Sequence, residues 1–379
     1  MIYLDHNATT PLDPRVREAM LPWLGPHYGN PSSLHRLGRA ARDAVEQARA
    51  QVAALVGVSP EWVVFTSGGT EANNAALAVA GPRETVAVSA IEHASVLETA
   101  RRRAQRGGAC CTLPVTPSGR VDLEAAAARL HDERPALVSV MWANNETGVL
   151  QPVAEVAALA RELGAWMHTD AVQAAGKVAL DFSAAGVHMM SLSAHKLYGP
   201  KGVGALILDP AVPFQPLLHG GGHEKGRRAG TENVPGIVGF GVAAELARHE
   251  LEARARRLEA LRARLEARLR SVPGVALVGA DAPRVPNTCM LRVPGIDGET
   301  LVLELDQEGI AVASGSACHS GSTRASHVLT AMGIPPEQAR GALRVSLGKD
   351  NSEDDIEAFV AALEARLAGL ARFAGLADW

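Results

Sequence analysis

The chain has little cysteine, few aromatic residues and no large excess of charge. Four cysteines, Cys110, Cys111, Cys289 and Cys318, occur in 379 residues, and none forms a C-x-x-C pair. A disulfide-stapled scaffold and a cysteine-built metal site are therefore excluded. No export-type segment opens the chain at "MIYLDHNATT", so four reduced thiols in a cytoplasmic protein are expected. Aromatic residues make up 4% and the net charge is −4, with no basic face. Base-stacking platforms and a direct nucleic-acid surface are disfavoured on both counts. No apolar run reaches about 18 residues, which excludes a membrane helix. The 13 histidines show no close ligand spacing, so no metal site is expected.

What is present is the composition of a well-buried globular protein, 47% hydrophobic and 21% charged. From about residue 60 to 210, short apolar runs alternate with helical periodicity. "WVVFTS", "TVAVSA", "ALVSVMW" and "AWMHTD" read as strands; "TEANNAALAVAG", "ASVLETARRRAQ" and "VAEVAALARELG" read as helices. "VHMMSLS" and "VGALILD" come next with no full helix between them. This order predicts an α/β fold with a mostly parallel central sheet covered by helices. Residues 214–236 form a long glycine-rich loop, a length that points to function or an interface. One long helix is expected over 237–270, with Leu258, Leu261, Leu265 and Leu269 at i, i+3, i+7 and i+11. The pattern then shortens, with a helix near 298–308, a polar run around Cys318 and a final helix from about 352. The expected organisation is a large domain over 16–254 and a smaller α+β domain built from 1–15 and 255–379. Cys110, Cys111 and Cys289 sit in strand-like runs and read as small buried hydrophobes.

In a mostly parallel sheet, ligands bind at the carboxyl ends of the strands. After "WVVFT" come Gly68, Gly69 and Thr70, opening a helix in a manner that suits a phosphate, or else making only a tight turn. His93, the cluster Asn144-Asn145-Glu146, and Asp170 with Gln173 one turn on come after later strands. "SAHK" then places Ser193, His195 and Lys196 together. A lysine at a buried strand end calls for a partner or a task. With a phosphate cradle at Thr70 and Ser193 and a carboxylate at Asp170, Lys196 suggests a Schiff base to pyridoxal phosphate. That cofactor needs a lysine for its aldehyde, a carboxylate for its ring nitrogen and donors for its phosphate.

Ten segments carry a family resemblance: "YLDHNATTP" at 3–11, "YGNPSSLH" at 28–35, "VFTSGGTEANN" at 64–74, "IEHASV" at 91–96, "ANNETG" at 143–148, "HTDAVQAAGK" at 168–177, "SLSAHKLYGPKGVG" at 191–204, "RRAGTENV" at 227–234, "SGSACHSGS" at 314–322 and "LRVSLG" at 343–348. Together they resemble the class V aminotransferase family of fold-type I pyridoxal-phosphate enzymes, and within it the NifS/IscS-like cysteine desulfurases. The resemblance implies that Lys196 binds the cofactor and moves the Cα proton, that Asp170 pairs with the ring nitrogen and that His93 stacks on the ring and takes part in catalysis. It implies that Asn145 and Gln173 contact the ring hydroxyl or substrate, and that Gly69, Thr70, Ser193 and His195 bind the phosphate. Thr231 would reach in from the second subunit of a homodimer, and Arg344, with Asn145 and Asn287, would hold the carboxylate of L-cysteine.

Cys318, in a mobile catalytic loop spanning about 314–326, would attack the substrate sulfur, release alanine and carry a persulfide. The sulfur would pass to an acceptor or iron–sulfur scaffold protein, for cluster assembly or tRNA thiolation, and Cys318 could transiently ligate a cluster during transfer. His319 departs from the small polar residue of many close relatives. It could lower the pKa of the neighbouring thiol, have no role, or mark a selenocysteine lyase, since those enzymes can carry Ala-Cys-His here. A catalytically silent scaffold that merely binds the cofactor is a further alternative.

Overall fold

The computed structural model describes residues 1–293, 295–315 and 325–373, with no side chains considered beyond 369. Cys318 and His319 lie outside the described residues.

A seven-stranded sheet runs in the order Val63–Thr66, Gly204–Leu208, Met189–Ser193, Trp166–Asp170, Leu137–Ser139, Thr85–Ser89, Ala109–Leu113. Only Gly204–Leu208 is antiparallel to its neighbours. Burial on both faces explains why these strands read as continuous apolar runs, as buried parallel strands do. Val86, Val88, Met189 and Leu206 join one core cluster, while Ala87, Met190 and Ile207 join the other across the sheet. The alternation is the two-residue period of a strand. The α/β class and the mostly parallel sheet expected from sequence are both present.

A second, antiparallel sheet of four strands orders Ala313–Ser314, Ala342–Ser346, Thr288–Arg292 and Ala276–Val278. Its core contains Leu258, Leu261, Leu265 and Leu269 from one helix, Phe359 and Leu363 from the C-terminal helix Glu353–Phe373, and Leu4 from the chain start. Leu4 arrives there because Ile2–Tyr3 pairs in parallel with Ile310–Ala311.

One helical expectation is corrected. The stretch 237–270 is two helices, Val234–His249 and Leu251–Leu269, parted at Glu250 (φ −99°, ψ 3°). The first buries Phe240, Ala243 and Ala247 against the large sheet; the second turns its leucines into the other core. A straight helix would not reach both cores. Glu250 secures the bend through Arg15 and Arg254. Two helices absent from the sequence expectations, Pro14–Leu24 and Arg36–Val56, pack with Val234–His249. Cys111 and Cys289 are buried as expected, but Cys110 is only half-buried. Among the described residues no helix is long and apolar enough to cross a membrane.

Leu265 is fully buried, whereas Leu303 is 65% exposed on helix Gly298–Gln307. Leu265→Ala should cost about 2–5 kcal/mol of stability, and Leu303→Ala should stay within about 0.5 kcal/mol of wild type. Guanidinium unfolding midpoints check both; equal effects would contradict this placement of the core.

Candidate active site

The shared strand direction gathers the carboxyl ends of the large sheet along one edge, and a cavity of about 320 Å³ lies there. Gly69, Thr70, His93, Asn145, Asp170, Gln173, Ser193, His195, Lys196 and Arg344 all line it. Sequence positions spread over most of the chain thus meet in one space.

Helix Gly69–Leu77 starts three residues after the end of strand Val63–Thr66, with Gly68 at φ 154°. A Cβ on Gly69 would lie 2.9 Å from Val172 Cγ2, so the close approach of these loops depends on glycine. Asp170 ends its strand with Oδ1 accepting from Val172 N at 3.0 Å and Oδ2 from Asn73 Nδ2 at 2.7 Å. Lys196, in the turn after Met189–Ser193, donates through Nζ to the carbonyls of Asn7 and of Ala8, the latter at 2.7 Å. His195 sits beside Thr9 at 3.1 Å; burial and the charges of Lys196 and Lys201 push its ring down to about 4. Burial also lowers the His93 ring, against the opposing pull of Asp170.

Arg344 comes from the smaller sheet. Its Nη1 donates to Asn145 O at 3.0 Å and its Nη2 to Asp5 Oδ1 at 2.6 Å, while its buried Nε has no partner among the described residues. The fork is anchored with donors to spare, which suits an incoming carboxylate. Gln173 is already engaged at both ends of its amide, giving to Asn7 O at 2.9 Å and receiving from Lys177 Nζ at 2.7 Å.

Two expected residues, Asn287 and Thr231, do not line the cavity. Asn287 has its amide donating to Asn7 Oδ1 and Leu347 O, both at 3.1 Å. Thr231 is exposed and away from the cavity within one chain. Cys318 lies outside the described residues.

Asn7, Asn73 and Ser95, which the strand-end pattern does not single out, also line the cavity. Asn73 is visible in principle, one helical turn after Gly69. Lys177 is likewise missed by that pattern. It is buried, bonded to Asn7 Oδ1 and Gln173 Oε1, and pushed well below the lysine range by burial, with Lys196 and Arg344 beside it. Asn144 makes an Asx turn, its Oδ1 accepting from Glu146 N and Thr147 N at 2.9 Å. That turn fixes Asn145 and sends Glu146 inward to accept from Ser326 Oγ at 2.5 Å.

The family profile described as aminotransferase class-V matches residues 2–359. The chain belongs to the class-V aminotransferase family. It is 47% identical over 367 residues to a protein of Bradyrhizobium diazoefficiens named cysteine desulfurase, covering 96% of this chain and 93% of that one. It is 46% identical over 362 residues to cysteine desulfurase NifS of Azotobacter vinelandii, covering 94% and 90%. A solved structure of a NifS-like protein superposes with a TM-score of 0.91 at 38% identity, over 97% of this chain and 99% of that one. A second, the apo structure of cysteine desulfurase from Thermococcus onnurineus NA1, gives 0.87 at 26% identity, over 97% and 95%. The architecture is the fold-type I transferase fold of this class-V family, with the cavity at its strand ends.

In this class-V chain the Glu146 carboxyl is pushed up to about 7 from 4.5, chiefly by burial. The unfolded chain ionises first, so this group costs stability progressively as pH rises from 4.5 to about 7, and no further above that. Glu146→Gln should therefore gain on wild type between pH about 5 and about 8. Urea unfolding of both proteins at the two pH values checks it; a constant difference would contradict the assignment.

Proposed function

We propose that this protein is a pyridoxal-phosphate-dependent cysteine desulfurase, converting L-cysteine to L-alanine and leaving the sulfur as a persulfide on Cys318. The supporting observation is the meeting of the Lys196 amine, the Asp170 carboxyl, His93 and the anchored Arg344 in one cavity. The chain is also nearly half identical to several proteins named cysteine desulfurase.

The residues fit the cofactor. The glycine-built cradle at Gly68 and Gly69, and the buried Asn73 Oδ1 and Arg344 Nε without partners among the described residues, suit a polar guest. Lys196 would hold its aldehyde carbon, Asp170 its ring nitrogen, and Gly69, Thr70, Ser193 and His195 its phosphate. When bound, the cofactor supplies an electron sink for charge developing at the substrate Cα. His93, Asn145 and Gln173 would border its ring. Thr231 of a second copy would complete the phosphate site in a homodimer.

Arg344 would orient the carboxylate of L-cysteine, aided by the Asn145 segment to which it is bonded. The Lys196 amine would then take the Cα proton, its position being set by the Asn7 and Ala8 carbonyls. Cys318 as thiolate would attack the substrate sulfur. An S–S bond forms, the substrate Cβ–S bond breaks with its electron pair passing to carbon, and protonation there yields alanine. Burial raises the thiols of Cys110, Cys111 and Cys289, the last up to about 12, so none of these is poised for the task.

The acceptor would be a protein that takes the persulfide for iron–sulfur cluster assembly or tRNA thiolation, in the cytoplasm. The division into 16–254 and 1–15 with 255–379 belongs to the same proposal. The names of the relatives favour cysteine over selenocysteine as substrate.

The test is alanine and sulfide release from L-cysteine with reductant present. Wild type should give both in equal amounts. Cys318→Ala and Lys196→Ala should each lose at least about 10²-fold. Normal alanine formation by Cys318→Ala would refute the nucleophile, and selenocysteine-only turnover by wild type would refute the substrate.

A further inference from the structure

His93 caps its own helix. The chain leaves strand Thr85–Ser89 and starts helix Ala94–Gln105 with His93 at the N-cap, in extended backbone (φ −63°, ψ 151°). The backbone N–H of Ser95 points at His93 Nδ1 from 3.2 Å. An amide N–H can only donate, so Nδ1 must present its lone pair. Ser95 Oγ lies 2.8 Å from the same nitrogen, and with Nδ1 an acceptor that hydroxyl has to donate as well.

A third residue holds the Ser95 hydroxyl in place. Asn73 Nδ2 donates to Ser95 Oγ at 2.8 Å and to Asp170 Oδ2 at 2.7 Å. Reversing the Asn73 amide would press its oxygen against the Asp170 oxygen, so Asp170 fixes which end faces Ser95. Donation then runs from Asn73 to Ser95 and from Ser95 to His93. The His93 ring lines the cavity, and its Nε2 has no protein partner among the described residues.

We propose that Ser95, oriented by Asn73, is a positioning residue that fixes neutral His93 as the Nε2–H tautomer, so that the ring offers the cavity a hydrogen-bond donor and not a base. To act as a base at Nε2, the ring would first have to take a proton at Nδ1, lose the Ser95 N–H bond and turn the Ser95 hydroxyl from donor to acceptor. Proton removal from carbon is therefore left to Lys196. His93 is left to donate to an electron-rich atom of the substrate or cofactor. The charged groups facing the ring are Asp170, which favours the imidazolium, and Lys196, which opposes it. Burial sides with Lys196.

This deepens the desulfurase reading, and its consequence for turnover rests on that reading; the tautomer itself does not. The test is a long-range proton–nitrogen correlation spectrum of holoenzyme carrying nitrogen-15 histidine, with the His93 signals assigned by His93→Gln. Wild type should show the Nε2–H pattern. Ser95→Ala should shift the tautomer ratio about fivefold toward Nδ1–H, the effect of one neutral hydrogen bond, and raise the ring's titration midpoint. Ser95→Thr, which keeps the hydroxyl, should restore both. An Nδ1–H pattern in wild type would overturn the proposal, as would a Ser95→Ala ring unchanged in tautomer and titration. Failure of the desulfurase reading would appear elsewhere, as wild type forming no alanine from L-cysteine while the His93 spectrum stays as expected.

Discussion

The site depends on Asn7, a single residue near the chain start in which every polar atom is bonded. Its N–H donates to Ser346 Oγ at 2.9 Å, and its Nδ2 to Thr288 Oγ1 and Asn145 O. Its Oδ1 accepts from Lys177 and Asn287, and its carbonyl from Gln173 and Lys196. These partners come from the smaller sheet and from the loops at the strand ends of the larger one. The N-terminal segment can act as this tie because Ile2–Tyr3 is fastened to Ile310–Ala311 and Leu4 is buried in the smaller core. Without the Asn7 side chain, one N–H of the Lys177 amine and one of the Asn287 amide would each lose an acceptor inside the protein. An unsatisfied buried polar group costs about 1–3 kcal/mol, more than one ordinary hydrogen bond contributes.

Around that tie the protein is dry enough to reverse ordinary titration. Burial pushes Glu92 up to about 8 and Glu146 up to about 7, lowers His168 to about 3, and takes Lys177 far below its usual range. His168 is buffered by hydroxyls on both sides, Ser139 at 2.8 Å and Ser191 at 2.9 Å, so it serves the sheet and not the cavity. Such surroundings favour neutral forms and leave charge where it is paired, at Asp5 with Arg344 and at Arg49 with Glu224. They also strengthen any charge-assisted contact an incoming carboxylate would make with Arg344.

Much of this is legible in the sequence because a parallel sheet converts order along the chain into position at one edge. Asp170, Ser193 and Lys196 are found by looking at the residues just past the end of each strand. Three kinds of feature are not found that way. Asn7 reaches the cavity through a pairing across most of the chain's length, which no local pattern announces. Asn287 has the right chemistry, but its protons go to Asn7 and Leu347, and a sequence does not show competition for a donor. The bend at Glu250 interrupts a smooth helical pattern because two cores compete for successive turns of the same stretch. Ser95 falls in the same class as Asn7: its role depends on Asn73, an amide from another helix 22 residues away, meeting its hydroxyl.

Two hydrogen-bond systems thus meet in the cavity from opposite directions. One runs from Asn7 to Lys196, Gln173 and Lys177 and joins the large sheet to the smaller one. The other runs from Asp170 through Asn73 and Ser95 to His93 and stays within the large sheet and its helices. The first holds the Lys196 amine by the carbonyl oxygens of Asn7 and Ala8, which orient it. The second holds the His93 imidazole through donors on Nδ1, which keeps that basic nitrogen occupied. Each group is positioned by the kind of partner that limits what it can do with a proton. An amine fixed by acceptors keeps a lone pair to offer when neutral, and a ring fixed by donors keeps a hydrogen to offer. The division of labour proposed for Lys196 and His93 would then follow from the atoms that surround them, before any substrate enters.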